Sequence, residues 1–318
     1  MGSNPFFSVV IPVFNSEESL VELHRKLCET FGLMDKTFEL IFVNDCSHDG
    51  SLAVLQEIKK NDQRIVVVDL YRNFGQQNAL LCGFNYCKGE YVITMDDDLQ
   101  NPPQEITKLY QKIREGYDAV FASYGKKKDK IYKNLGSFLI RKLTQKIFNI
   151  KNDLRFSSFR IIRRAIIEEL RLKKTSYPYI SGMILNITRQ ITNVEVEHEK
   201  RRFGRSNYTF SKLVKLAFNL LINYSTYPLQ IISFGGIVIS IAAFSIGIFV
   251  FIRKLMVETV RTGWTTTVML ISFFASMFFL IAFIFGEYLK RILAEVEKNK
   301  QYAVKAVYRP ESADDPKP

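Results

Sequence analysis

Between residue 6 and about residue 123, the chain alternates short apolar runs with stretches of helical periodicity. The apolar runs cover residues 6–14, 37–45, 64–71, 90–95 and 118–123, and the helical stretches cover 17–31, 49–60, 76–87 and 103–115. Strands that are apolar on both faces and separated by helices are typical of a mostly parallel sheet covered by helices. We therefore predict an α/β domain for this part of the chain.

The apolar residues of the 318-residue chain are unevenly distributed, which its mean hydropathy of −0.01 conceals. Residues 216–252 contain no charged side chain, and a second uncharged run covers 268–285. A helix needs about 20 apolar residues to cross a bilayer, so we predict transmembrane helices at 229–252 and 265–286. Two buried core helices are the alternative, but globular helices of this length usually keep a polar face.

These predictions divide the chain into six segments. They are a globular domain at 1–210, an amphipathic juxtamembrane segment at 211–228, the helix at 229–252, a non-cytoplasmic loop at 253–264, the helix at 265–286 and a tail at 287–318. No signal peptide opens the chain, and Lys and Arg mark the cytoplasmic side of membrane proteins. We therefore expect the globular domain and the tail on the cytoplasmic face.

The chain is basic, because it has 44 Lys and Arg against 32 Asp and Glu. This balance suits an anionic partner such as a phosphate-rich ligand or a lipid surface. Nine basic residues fall within 126–151, where they indicate a solvated helix face or, alternatively, a membrane-surface helix. Nothing resembles a base-stacking platform, so we do not expect nucleic acid as a partner.

Polar residues follow the first four apolar runs at equivalent positions. They are Asn15, Asp45, Arg72 and Asp96, in that order. The carboxyl ends of parallel strands meet at one edge of the sheet, where ligands bind. One such residue would be an ordinary loop residue, but four of them indicate a shared crevice.

Three consecutive carboxylates, Asp96, Asp97 and Asp98, end the fourth apolar run. The period of two along a strand directs Asp96 and Asp98 to the same side. Such carboxylates repel each other, and oxygen ligands suit Mg²⁺ or Mn²⁺. From the residues alone, an acidic turn that caps the next helix is an equally good interpretation.

Four motifs follow one another along the domain. They are VVIPVFN (9–15), VNDCSHDGS (43–51), RNFGQQNALLCGF (72–84) and MDDDLQNPP (95–103). Together they resemble the motifs of inverting, metal-dependent glycosyltransferases with the Rossmann-like GT-A fold. The most similar branch is the polyprenyl-phosphate glycosyltransferases, and the segments at 201–208 and 286–288 extend the resemblance over nearly the whole chain.

The resemblance implies a GT-A catalytic domain followed by two transmembrane helices, in a bacterial inner-membrane enzyme of cell-envelope glycan or lipopolysaccharide biosynthesis. It implies transfer of one sugar, with inversion, from a nucleoside-diphosphate-sugar to polyprenyl (undecaprenyl) phosphate. The expected donor carries UDP, with dTDP as the alternative, and the expected cofactor is Mg²⁺ or Mn²⁺. Relatives form tetramers in which the tail packs on a neighbour. Because residues 301–309 alternate like a strand that needs a partner, we also expect a homo-oligomer.

The resemblance also implies roles for individual residues. Asp96 and Asp98 would hold the metal, and with Arg201 they form the implied catalytic set. The implied donor-binding residues are Pro12, Phe14, Asn15, Asp45, Arg72, Asp97 and Gln100. The implied residues at the acceptor phosphate are Arg201, Arg202, Arg205, Ser206 and His198. An Arg-rich loop suits a lipid phosphate because guanidinium groups bind phosphate bidentately.

Two residues depart from the pattern of the family. Ser16 stands where relatives usually carry Glu, which leads to the hypothesis that the site accepts a deoxythymidine donor as well as a uridine donor. Ser158 stands where many relatives carry an Asp that has been considered a general base. A phosphate nucleophile is largely dianionic at neutral pH, so the reaction does not require that base.

Two other functions remain as alternatives. One is a processive polysaccharide synthase, but these enzymes carry a QxxRW motif and the one Trp of this chain, Trp264, lies in the loop between the predicted spans. The other is a non-catalytic membrane protein that senses a nucleotide. The retained acidic residues Asp45, Asp96 and Asp98 argue against it.

Overall fold

The computed structural model describes residues 4–125, 154–173, 175, 178–199 and 301–309, together with scattered residues between 234 and 292. The chain divides into two compact units. The first combines Met1–Tyr208 with Lys300–Pro318, and the second is Thr209–Asn299. The basic segment at 126–151 and the Arg-rich segment at 201–208 lie outside the described residues.

One sheet organises the first unit. Its strands are β1 (Phe7–Val13), β2 (Phe38–Asn44), β3 (Ile65–Leu70), β4 (Tyr91–Thr94), β5 (Ala119–Tyr124), β6 (Arg160–Arg163), β7 (Ile191–Val196) and β8 (Val304–Tyr308). Among the described residues their order is β7-β5-β6-β4-β1-β2-β3-β8. The first four strands pair in parallel, as do β5 and β7, whereas β6 and β8 run antiparallel to their neighbours. The prediction of a mostly parallel α/β sheet is therefore confirmed.

Helices connect and cover these strands. They are α1 (Glu17–Met34), α2 (Ser51–Asn61), α3 (Gln76–Phe84), α4 (Ile106–Ile113), α5 (Arg164–Leu172) and α6 (Ile180–Leu185). In α1, Leu20, Leu23, Leu27 and Phe31 recur at helical spacing, and all four are buried in the core. The same amphipathic spacing explains why the four predicted helices correspond to α1 through α4.

Strands β6 and β7 are not predicted by the periodicity of the sequence. β6 is four residues long, begins and ends with Arg, and lies between β4 and β5. Its first residue, Arg160, is paired with Thr94 of β4 and is only 1% exposed. A buried arginine breaks the apolar pattern by which strands are recognised, so only the tertiary structure identifies β6.

The predicted C-terminal strand is present as β8, and its partner strand lies in the same chain. β8 pairs antiparallel with β3 of the same chain, with Tyr308 opposite Val67. Lys305 of β8 also lies 3.4 Å from the buried carboxylate of Asp69 in β3. The strand therefore has a partner within the chain and does not by itself indicate an oligomer, and the homo-oligomer stays a prediction that rests on the resemblance.

In the second unit, the described residues are largely helical, and several large apolar side chains among them are exposed. They include Phe234, Ile271, Phe273, Phe278, Phe285 and Ile292. Within the part of the chain that the structure describes, no helix combines the length and apolar character needed to cross a bilayer. Most residues of the two predicted spans lie outside that part.

Candidate active site

The carboxyl edge of the sheet carries the loops that follow β1, β2 and β4. Each loop contains a non-glycine residue in the left-handed region, namely Asn15 (φ 54°), Cys46 (φ 58°) and Leu99 (φ 58°). This conformation is unfavourable for L-residues, and residues held in it are concentrated at functional sites. The Asn15 side chain joins the loop after β1 to the loop after β2, because its Oδ1 accepts a hydrogen bond of 2.8 Å from the His48 backbone N–H.

Asp45 fixes the loop that follows β3. Its two carboxylate oxygens accept hydrogen bonds from the backbone N–H groups of Phe74 (2.7 Å) and Gly75 (2.8 Å). Gly75 has φ 87°, which favours glycine at this position. Burial raises the pKa of Asp45, and the two backbone hydrogen bonds oppose that rise. In the same loop, the Arg72 guanidinium lies over the Phe74 ring at 4.8 Å.

Asp96 receives hydrogen bonds from two separate elements. The amide of Gln76, the first residue of α3, donates to Oδ1 at 2.5 Å, and the hydroxyl of Ser158 donates to Oδ2 at 2.6 Å. Because Asp45 holds Gly75, it also holds the start of the helix that presents Gln76. The predicted residues Asp45 and Asp96 are thus connected through one loop.

Asp97 faces the loop after β1. Its Oδ2 accepts a hydrogen bond of 3.3 Å from the backbone N–H of Phe14. Burial raises the pKa of Asp97 to about 6, the negative charges of Asp96 and Asp98 act in the same direction, and hydrogen bonds from the Ser16 side chain and the Phe14 backbone oppose the rise. The ionised form of Asp97 is therefore disfavoured by burial and by its two acidic neighbours.

Asp98 and Gln100 connect the acidic loop to the end of β7. The Gln100 backbone N–H donates to Asp98 Oδ1 at 3.1 Å, and the Gln100 carbonyl accepts from the Glu199 backbone N–H at 2.9 Å. The adjacent His198 ring packs against Tyr124 with their centroids 4.3 Å apart. The segment that leads to the predicted acceptor residues therefore begins beside the acidic cluster.

Two predicted donor residues of β1 and its loop differ in exposure. Pro12 is buried within the strand, whereas Phe14 is 44% exposed and lies edge-on to the ring of His48. An exposed aromatic ring at a crevice offers a flat surface for a ligand ring. Of these two residues, Phe14 is therefore the one positioned to contact a ligand directly.

The structure thus links the predicted residues Asp45 and Asp96 through the hydrogen bonds described above, and Arg72 lies in the same loop, over the Phe74 ring. The predicted acceptor residues Arg201, Arg202, Arg205 and Ser206 lie outside the described residues. Gln76 and Ser158 were not given roles from the sequence. Gln76 belongs to the RNFGQQNALLCGF motif, which could have identified it as a residue of the site. Nothing in the local sequence around Ser158 predicts its contact with Asp96.

The acidic cluster fits a hard divalent cation. Asp96 and Asp98 supply carboxylate oxygens that are partly exposed at the edge of the sheet, and such oxygens are the ligands that Mg²⁺ and Mn²⁺ take. A carboxylate oxygen that accepts one hydrogen bond can accept a further contact. The contacts of Asp96 with Gln76 and Ser158 are therefore compatible with metal binding.

A second group of ligand-type side chains occurs elsewhere, where α1 approaches the end of α2. His24, Cys28 and Asp62 bring Nε2, Sγ and a carboxylate oxygen within 4.8 Å of one another. The Arg64 guanidinium already binds Asp62 through two hydrogen bonds of 2.8 and 2.9 Å and lies 3.4 Å from the Cys28 sulfur. Arg64 therefore supplies the positive charge of this group, which we interpret as a structural network.

Comparison with protein families gives one match. The model described as Glycosyl transferase family 2 matches residues 8–171. The matched range contains Asp45 and all three residues of the acidic cluster.

Two relatives match almost end to end. The chain is 32% identical over 303 residues to the undecaprenyl-phosphate 4-deoxy-4-formamido-L-arabinose transferase of Proteus mirabilis, covering 94% of this chain and 93% of the relative. It is 30% identical over 303 residues to the uncharacterized glycosyltransferase YkcC of Bacillus subtilis, covering 95% and 94%. Among solved structures, glucosyl-3-phosphoglycerate synthase of Mycobacterium tuberculosis superposes with a TM-score of 0.49 at 17% identity, covering 69% of this chain and 78% of that chain.

Proposed function

Because the chain belongs to glycosyl transferase family 2 and is a glycosyltransferase, we propose that it moves one sugar from a nucleoside diphosphate to polyprenyl phosphate. The observation that carries the proposal is the meeting of three loops around Asp45, Asp96 and Asp97 at the carboxyl edge of the sheet. The Proteus relative, which is named as an undecaprenyl-phosphate transferase, supports the choice of acceptor.

The donor nucleotide would lie across the loops that follow β1, β2 and β3. The exposed ring of Phe14 can pack against the base, and the exposed guanidinium of Arg72 can pair with a phosphate. We assign Asp45 to the same pocket, where it holds the loop of Phe74 and Gly75. Pro12 and Asn15 would shape the pocket from the end of β1.

Asp96 and Asp98 would hold Mg²⁺ or Mn²⁺ against the donor diphosphate, with Gln100 nearby. When bound, a divalent cation neutralises the negative charge that develops on the departing nucleoside diphosphate. Asp97 would orient its neighbours, because its own carboxylate faces the Phe14 backbone.

The acceptor would approach from the membrane side. We assign Arg201, Arg202, Arg205, Ser206 and His198 to the lipid phosphate, with Arg201 completing the catalytic set. Exposed large apolar side chains in the second unit, such as Phe273 and Phe278, support an apolar environment for that unit. We therefore propose a membrane enzyme whose catalytic domain faces the cytoplasm.

The reaction balances with the lipid phosphate as nucleophile. A phosphate oxygen attacks the anomeric carbon on the face opposite the diphosphate and forms the new carbon–oxygen bond. The bond from that carbon to the diphosphate oxygen breaks, and the nucleoside diphosphate leaves with the electron pair, so the configuration inverts. A phosphate monoester with a second pKa of about 6 is mostly dianionic at neutral pH, so no general base is needed.

We propose that the environment of Ser16 influences which donor nucleotide is accepted. Its hydroxyl contacts the Phe14 carbonyl at 3.3 Å and hydrogen-bonds to Asp97. A residue this short would leave space beside the sugar of the nucleoside, so we propose that dTDP is accepted as well as UDP. Competition of UDP and dTDP against a fluorescent nucleotide tests this, and a strict preference for UDP would exclude dTDP.

The decisive experiment uses the full chain purified in detergent. It is incubated with undecaprenyl phosphate, Mn²⁺ or Mg²⁺ and a panel of nucleotide sugars. The lipid products are then identified by mass spectrometry. We expect a lipid that gains one sugar residue, only with metal present. A ladder of longer products would instead indicate a processive synthase, and nucleotide binding without any lipid product would indicate a sensor.

A further inference from the structure

The hydroxyl of Ser158 ties Asp96 to a strand that the sequence did not predict. Ser158 lies two residues before β6, and its Oγ donates to Asp96 Oδ2 at 2.6 Å. The two residues are 62 positions apart in the chain. Together with Gln76 on the other oxygen, Ser158 determines which way the Asp96 carboxylate points.

A chain of hydrogen bonds in the core of the domain anchors the backbone of Ser158. The hydroxyl of Thr94 in β4 donates to the Ser158 carbonyl at 2.5 Å and accepts from Arg160 Nε at 3.0 Å. Arg160 also donates to the hydroxyl of Ser181 in α6 at 2.9 Å. Thr94 and Arg160 are 0% and 1% exposed, so this anchor lies in the core of the domain.

The anchor also places positive charge behind the acidic cluster. Arg160 carries a positive charge in the core, and its charge and that of Asp96 attract each other. A guanidinium remains protonated in a protein interior, so the charge is permanent. Its partners along this relay, Thr94 and Ser181, are neutral hydroxyl groups.

We propose that Ser158 is a positioning residue, whose hydroxyl holds the Asp96 carboxylate in the orientation in which it binds the metal of the donor complex. The inference rests on the proposed function, because it assumes a metal at Asp96. Residues that orient metal ligands through hydrogen bonds typically change metal affinity about 10–100-fold when they are replaced. A hydroxyl can hold the carboxylate in this way because it donates one hydrogen bond and adds no charge beside Asp96.

The test compares three variants of the full chain in detergent. Ser158→Ala removes the hydroxyl, Ser158→Thr keeps it, and Ser157→Ala removes the neighbouring hydroxyl, which donates to the Phe159 carbonyl rather than to Asp96. Mn²⁺ binding in the presence of UDP is measured by the loss of the free Mn²⁺ signal in electron paramagnetic resonance. Melting temperatures and the kcat and KM of sugar transfer are measured on the same preparations.

We expect Ser158→Ala to bind Mn²⁺ about 10-fold more weakly, while Ser158→Thr and Ser157→Ala bind it within about 3-fold of the wild type. The lost transfer activity of Ser158→Ala should return at high Mn²⁺, which an unfolded or misfolded site would not allow. Unchanged Mn²⁺ affinity in Ser158→Ala, or equal weakening in Ser158→Thr, would overturn the role of Ser158 but leave the proposed function standing. A wild-type chain that binds no Mn²⁺ would overturn both the metal assignment and the inference.

Discussion

The backbone N–H of Gly75 donates a hydrogen bond of 2.8 Å to Asp45 Oδ2 and thereby joins the end of β2 to the start of α3. The next residue, Gln76, donates to Asp96 at the end of β4. Two acidic residues on different strands are therefore held by one short loop. A substitution at Asp45 should consequently also disturb the hydrogen bond between Gln76 and Asp96.

Replacing Asp45 tests this connection. Asp45→Asn keeps one acceptor but turns an NH₂ group toward a backbone N–H, so a buried donor loses its partner at a cost of about 1–3 kcal/mol. We expect a lower free energy of unfolding and weaker UDP binding, measured by chemical denaturation and calorimetry. Asp35→Asn, an exposed change of the same chemistry at the end of α1, is the control. Equal UDP affinity in both variants would contradict the role of Asp45.

Asp98→Asn tests the assignment of the metal. An Asn side chain retains the acceptor for the Gln100 backbone N–H, so the loop should stay folded. The missing charge should reduce sugar transfer by at least about 100-fold, as removal of a group that stabilises developing charge typically does. Transfer rate and melting temperature are compared with those of Asp35→Asn. Normal turnover by Asp98→Asn would remove Asp98 from the metal site.

The raised pKa of Asp97 predicts a pH-dependent difference in stability. Its folded-state pKa of about 6 exceeds the ordinary value near 4, so protonated Asp97 stabilises the fold below pH 4 and this contribution is lost as the pH rises through 6. In EDTA, Asp97→Asn should therefore gain stability relative to the wild type between pH 4 and pH 7, by up to about 3 kcal/mol. Denaturation curves at several pH values measure the difference. If the difference in free energy of unfolding between Asp97→Asn and the wild type stays constant across this pH range, the pKa of Asp97 is not raised.

Removal of β8 tests its role at the edge of the sheet. A chain that ends at residue 300 loses the contact of Lys305 with Asp69 and the hydrogen bond of 2.6 Å between Asn85 and Tyr302. It also exposes the edge of β3. We expect a loss of at least about 1 kcal/mol, or 2–4 °C in melting temperature for a domain of this size. A chain that ends after Arg309 keeps β8 and is the matched control, and identical melting of the two truncations would show that β8 contributes nothing.

The sequence alone predicted the parts of this protein that depend on local periodicity and on position along a strand. Alternating apolar runs identified β1 to β5 and α1 to α4, because a strand or helix that packs on one core repeats its apolar residues at a fixed spacing. The polar residues at the strand ends identified the edge where Asp45 and Asp96 meet, since parallel strands share that edge.

The tertiary structure decided which distant segments complete the site. β6 inserts between β4 and β5 with a buried Arg160, so it lacks the apolar pattern of a strand, and β8 returns to β3 from the far end of the chain. Ser158 reaches Asp96 only because β6 pairs with β4. Pairing between segments so far apart depends on packing and hydrogen bonding across the whole domain, which no local spacing of residues records.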